Sequence, residues 1–208
     1  FDRNIGGEVR EFGVSGLLYN SNVLMYDRQK DEAKESLWSQ MMLKAVVGPA
    51  AKEGLELEVL PAQFTTWASW QGEHPGTTSL SFETGHMRSY EANPYERYFK
   101  SQGLMFPAKP MGKAAADLKA LPDKEPVIIV ALGGKLKGYP VSRLKAALPA
   151  GEQAITDEFA GKRLVFSPVD LDGGTYLVKD EAGKAVPVAF SFWFKFRTAH
   201  PDAAVFMP

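Results

Sequence analysis

Tyr19, Asn20, Tyr26, Asp27, Arg28, Trp38 and Gln40 form the densest run of side chains able to recognise a ligand. Trp and Tyr offer stacking surface with a polar edge, and an Arg fork matches a carboxylate or phosphate. Spacing limits what they can do together. In an extended strand Tyr26 and Arg28 point to one face and Asp27 to the other, so the seven cannot share one surface. Two readings stand: a polar and aromatic ligand pocket, or Asp27 and Arg28 bonding loop backbone to pin the surrounding strands.

The other residues with chemical potential lack the company their chemistry needs. Walker-type phosphate binding requires Gly-Lys followed by Ser or Thr, but the pairs at Gly112, Gly134, Gly161 and Gly183 are followed by Ala, Leu, Arg and Ala. Gly133-Gly134 follows a buried-looking strand, yet Gly138 does not complete G-x-G-x-x-G, so bend-forming glycines are the expectation. Gly13-Val14-Ser15-Gly16 falls short of a nucleophile elbow, and Ser15 reads as a turn serine. Ser142-Arg143-Leu144-Lys145 matches a bare S-x-x-K without its companion motifs and reads as a helix start. Asp170, Asp172 and Glu181 imitate a calcium loop, but Thr175 occupies the position where that loop needs glycine, so a hairpin turn is expected.

For metals the chain offers His74, His86 and His200 without H-x-x-x-H spacing, and no Cys. Met25, Met41, Met42 and Met87 could suit a soft ion such as copper, but scattered methionines read as core. No metal site and no cofactor is therefore assigned from the residues.

The elements that must hold these residues carry an internal echo. Trp67-Ala-Ser-Trp-Gln-Gly-Glu-His74-Pro75 returns as Trp193-Phe-Lys-Phe-Arg-Thr-Ala-His200-Pro201. Each copy reads as a short Trp-bearing helix stopped at His-Pro, because the residue before proline avoids the helical region. Trp67, His74, Trp193 and His200 are assigned structural roles, since a catalytic residue is rarely needed twice.

Ahead of the first copy, runs at Val9–Val14, Val23–Tyr26, Leu37–Gln40, Ala45–Val47 and Leu55–Leu60 predict an antiparallel meander with turns at Asn20–Asn22 and Gln29–Lys34. Thr65 or Thr66 should cap the helix, and Tyr90–Phe106 should wrap the surface. Pro107, Pro110, Pro122 and Pro126 enclose a Lys/Ala-rich stretch that reads as a linker. Beyond it, Val127–Leu132, Ile155–Phe159, Leu164–Pro168, Thr175–Lys179 and Val186–Phe190 predict strands, Ser142–Leu148 a helix, and 172–174 and 181–183 turns. The expectation is a β-rich α+β fold of two related meander or small-barrel lobes: 1–106, then a linker at 107–126, then 127–208.

The balance of 24 Lys+Arg against 25 Asp+Glu supplies no broad basic field, which argues against nucleic acid as a partner. No apolar stretch approaches the roughly 18 residues of a membrane-spanning helix. Phe1-Asp2-Arg3 reads as the end of a strand, with the first lobe incomplete before it.

Phe12–Ser21, Met25-Tyr26-Asp27-Arg28 and Ser36–Gln40, with Leu60-Pro61, Thr66-Trp67, His74-Pro75, Asn93-Pro94-Tyr95, Tyr139-Pro140, Phe192-Trp193-Phe194 and His200-Pro201, resemble a bacterial and archaeal family of exported proteins known only as a domain of unknown function. The resemblance implies a periplasmic or extracellular location, and a Cys-Pro motif ahead of the Phe-Asp-Arg segment. It implies no activity. The expected function is an extracytoplasmic binding or scaffold module for a small molecule or protein; the alternative is a copper- or zinc-dependent redox protein or hydrolase using residues of that preceding segment.

Overall fold

A computed structural model describes residues 1–106, 117–171 and 174–208. Half of the expected linker, 107–116 with Gly112-Lys113, and the first two residues of the turn at 172–174 lie outside the described residues.

The N-terminal meander forms as its alternation predicts. β1 (Asn4–Ile5) and β2 (Glu8–Val9) make a small hairpin, and β3 (Phe12–Tyr19), β4 (Asn22–Asp27), β5 (Leu37–Ser39) and β6 (Lys44–Val47) follow as an antiparallel sheet in sequence order. Asn20 and Ser21, at φ 48° and 61°, join β3 to β4. Two left-handed residues in a two-residue loop match the twist of the strands they connect. Ser15 lies where the β3–β4 register shifts; its hydroxyl donates to the Leu24 carbonyl and accepts the Leu17 N–H. The sheet closes over Trp38, which is fully buried with Ile5, Ala45, Ala50 and Leu57 and meets Phe12 edge-on at 5.6 Å.

Three expectations for this half are corrected. Phe1–Arg3 lies outside strand, which begins at Asn4. Leu55–Leu60 keeps its alternation, Leu57 buried and Glu56 and Glu58 exposed, but makes a single bridge, Glu56 to Lys44. Leu43 is left-handed at φ 56°, which turns the chain at the start of β6 and breaks the ladder the segment would have extended. Between them lies an unforeseen helix, α1 (Pro49–Lys52). It follows Gly48, at φ 90°, where a Cβ would come within 2.6 Å of the Glu35 carbonyl oxygen.

From Leu60 to Phe106 the described chain contains no strand, only α2 (Trp67–Glu73) and α3 (Glu96–Lys100), and is largely exposed. Aromatic contacts lay it on the C-terminal part: Phe64 on Phe190 at 4.3 Å, and Tyr98 and Phe99 on Phe192.

The C-terminal part comprises β7 (Pro126–Leu132), β8 (Lys135–Pro140), α4 (Val141–Ala147), β9 (Ile155–Phe159), β10 (Lys162–Asp170), β11 (Thr175–Asp180), β12 (Val188–Phe192), α5 (Trp193–Ala199) and β13 (Ala204–Val205). One sheet runs β12-β7-β8-β13, with β13 parallel to β8, and the other runs β11-β10-β9. β7 is buried on both faces, which is why it reads as a continuous apolar run. Ile128 and Val130 face the main core of Tyr139, Leu144, Leu164 and Phe166; Val127 and Ile129 face Trp193 and Phe196. Phe196 lies over Gly138, where a Cβ would come within 2.4 Å of its ring.

The fold is β-rich, with several antiparallel sheets and short helices. The sheets are open, so the small-barrel alternative is not formed. No helix among the described residues is long and apolar enough to cross a membrane.

Candidate functional site

The seven expected recognition residues separate into four places. Asp27 and Trp38 are fully buried. Asp27 pairs with Arg10 and accepts the Ser36 N–H at 2.5 Å, while the Arg10 guanidinium lies 5.7 Å from the Trp38 ring. On the outer face Arg28 lies 5.4 Å from the Tyr26 ring and pairs with Glu11 at 3.1 Å. Tyr19 and Asn20 sit at the exposed end of the β3–β4 hairpin, and Gln40 is half-buried in the turn after β5. Arg10 completes the buried group and went unread in the sequence, where nothing distinguishes it from a surface cation.

The two His-Pro units are alike in backbone. α2 starts after Thr66 (φ −80°, ψ 155°) and stops at His74 (−129°, 68°); α5 starts after Phe192 (−86°, 154°) and stops at His200 (−132°, 69°). Each His N–H donates 2.8 Å to the carbonyl four residues back, and each His carbonyl accepts the N–H three residues on, from Thr77 or Ala203. Thr66 caps α2 as expected, its hydroxyl accepting the Ser69 N–H.

Their surroundings differ. Trp67 is 52% exposed and Trp193 2%. His74 is exposed and meets the Trp70 ring at 4.0 Å, tilted by 40°, whereas the half-buried His200 bonds Met41, a residue of the N-terminal meander. Arg197, 2% exposed, donates to the His200, Pro201 and Ala203 carbonyls and pairs with Asp117, so one buried cation holds the whole exit loop. The residue at its place in α2 is Gln71, which is exposed.

His200 stands where the two halves of the chain meet. Its Nε2 lies 2.5 Å from the Met41 carbonyl, and a carbonyl only accepts, so Nε2 carries the proton and Nδ1 keeps its lone pair. Burial, and secondarily the Lys44 ammonium, lowers its pKa below the ordinary 6.5 despite the opposing pull of the carbonyl. The ring is a neutral donor at neutral pH.

Around it opens a cleft of about 590 Å³ between Met42–Lys44 and Glu56–Val59 on one wall and the β7–β8 hairpin, Ala131–Leu136, on the other. A second groove of about 510 Å³ shares Gly134, Lys135, Leu136 and His200 and runs on past Phe159 and Asp202. Lys44, Lys135, Glu56 and Glu58 are exposed along the cleft, so it offers both signs of charge beside an uncharged imidazole. Among the described residues no group of three or more His, Asp or Glu could hold a metal ion.

Two further groups lie outside the lining of both grooves. Lys137 pairs with Asp157 at 2.5 Å, and Asp157 accepts the Tyr139 hydroxyl at 2.8 Å. Burial, then the Asp157 bond, raises the Tyr139 pKa, so the phenol is a proton donor within the core. This trio went unread because its members come from two strands, and β8 itself was not foreseen; the only signal was the Gly133-Gly134 turn with φ 56° and 69°, which calls for a returning strand. Ser142 and Lys145 are both exposed on α4, and the Ser142 N–H donates to Glu125.

A family model described as protein of unknown function (DUF3179) matches residues 1–182. No curated protein and no solved structure matches the chain. The chain belongs to this family of proteins of unknown function.

Proposed function

We propose that this member of the family is a binding module acting outside the cytoplasm, without catalysis of its own, and that its ligand enters the cleft beside His200. The observation that carries this reading is the cleft's construction. It lies between Met42–Lys44 and Glu56–Val59 of the N-terminal part and the β7–β8 hairpin, is lined by the neutral His200 ring bonded to Met41, and carries Lys44, Lys135, Glu56 and Glu58 along it. Pockets with a few convergent polar groups at the junction of two substructures are preferred ligand sites. The extracytoplasmic location rests on the resemblance to exported proteins, and the paired His-Pro units support reading the chain as an internal repeat.

Calorimetric and NMR titration with amino acids, sugars, carboxylates and nucleotides tests the function. Expected is saturable binding, without turnover, that is lost in Lys135→Glu. Chemical conversion of a bound compound contradicts it, and a stoichiometric copper or zinc ion in protein purified from its native source would favour the metal-dependent alternative. Fractionation of the native host tests the location.

A further inference from the structure

Building on the cleft as a binding site, we propose that its ligand is an uncharged polyhydroxyl compound, of the sugar class, which donates one hydroxyl hydrogen bond to His200 Nδ1. The His200 ring does the selecting. Its Nε2–H is taken by the Met41 carbonyl, which leaves the Nδ1 lone pair as the one polar function the ring has left to offer. Among the described residues no donor meets Nδ1, and it is not one of the polar atoms sealed from solvent without a partner. Because His200 lines both grooves, that lone pair faces whatever enters them.

A lone pair on a neutral ring accepts and cannot donate, so a carboxylate or phosphate oxygen finds no proton there and is repelled. An ammonium would bring a proton, but the Lys44 ammonium already acts on this ring, and Lys135 stands on the facing wall, so a further cation is opposed. A hydroxyl meets both conditions. It donates to Nδ1 and accepts from Lys44 or Lys135, while further hydroxyls donate to Glu56 and Glu58. Two lysines against two glutamates leave the cleft without net charge, which suits a neutral ligand. Leu132, Leu136 and Pro187 add apolar lining for the C–H face of a sugar ring.

The test is a microarray of neutral mono- and oligosaccharides probed with the whole chain, with glutamate, citrate and spermidine titrated calorimetrically beside it. The best sugar is then added at neutral pH to chain carrying nitrogen-15 histidine. Expected is saturable binding in which the His200 Nδ1 resonance moves as an accepted hydrogen bond requires, while Nε2 stays protonated. His200→Leu should weaken binding about tenfold, and His200→Gln, whose amide serves both Met41 and a hydroxyl, should stay within about threefold of the parent. If His200→Leu lowers the melting temperature, the nitrogen shift of the parent decides alone. A sugar that binds without moving Nδ1 overturns the proposal. Binding of glutamate, citrate or spermidine, and of no sugar, overturns the ligand class and leaves the binding module standing. Binding of none of these compounds overturns the two readings together.

Discussion

α2 and α5 are nearly the same object placed in two environments. Their entry and exit dihedrals agree within a few degrees, and their closing bonds run between equivalent atoms. Yet α2 buries no residue, whereas α5 buries Trp193, Phe194, Phe196, Arg197 and Ala199. Local sequence therefore specifies the conformation of the unit, and the strands around it decide what the unit does. In α5 the same His-Pro stop delivers an imidazole to the junction of the two sheets; in α2 it delivers one to solvent.

Equivalent substitutions in the two units should separate local from tertiary stabilisation. Trp193→Ala is expected to cost about 3–5 kcal/mol in urea unfolding, the usual cost of removing a buried aromatic, and Trp67→Ala about 0.5 kcal/mol. Equal losses would mean that the exposed unit is packed against something in solution. Arg197→Leu should cost about 3 kcal/mol or more, because Asp117 and the carbonyls of the exit loop lose their donor together, while Gln71→Leu should fall within about 0.5 kcal/mol of the parent. Thermal unfolding of the pair checks this.

Much of this architecture was readable in the residues, and where it was not the reasons are physical. The Asn20-Ser21 turn, the Thr66 cap and the His-Pro stops are local events, decided by neighbours in sequence, and all three form as expected. β7 also stood out, because burial on both faces leaves an unbroken apolar run. β8 did not: Lys135-Leu136-Lys137-Gly138 has few residues that favour strands, and Gly138 is there to admit the Phe196 ring, a partner from the far end of the chain. The cleft was equally hidden, since its walls come from segments around Lys44, Glu56, Lys135 and His200. Asp27 and Trp38 were read as recognition residues, and only the fold reveals that both are buried and that Arg10 joins them.

A smaller effect sharpens the contrast between the sheets that hold the two ends of the molecule. Gly138→Ala should cost about 1–3 kcal/mol, because the Phe196 ring it would strike is fully buried and cannot swing away. Gly13→Ala meets the outer end of the Tyr26 ring, which is only half-buried and can rotate toward solvent, so its cost should be lower in the same denaturation assay.

The smallest expected effect is a dependence on pH. Because the folded His200 pKa lies below 6.5, the folded chain holds fewer protons than the unfolded one under mildly acidic conditions. The contribution is neutral above pH 6.5. Stability should then fall as the pH drops from 6.5 toward the folded value, and level off below it. The difference between the parent and His200→Gln across this window isolates the effect; a flat difference contradicts it.

Hydrogen exchange compares the two units most directly, through the backbone N–H of His74 and that of His200. Both donate 2.8 Å to the carbonyl four residues earlier, so local geometry alone predicts equal protection. Tertiary support for α5 predicts that His200 exchanges only with global unfolding and His74 orders of magnitude faster, by local opening. Equal protection at the two sites would contradict the account of α5 as the unit held by tertiary packing.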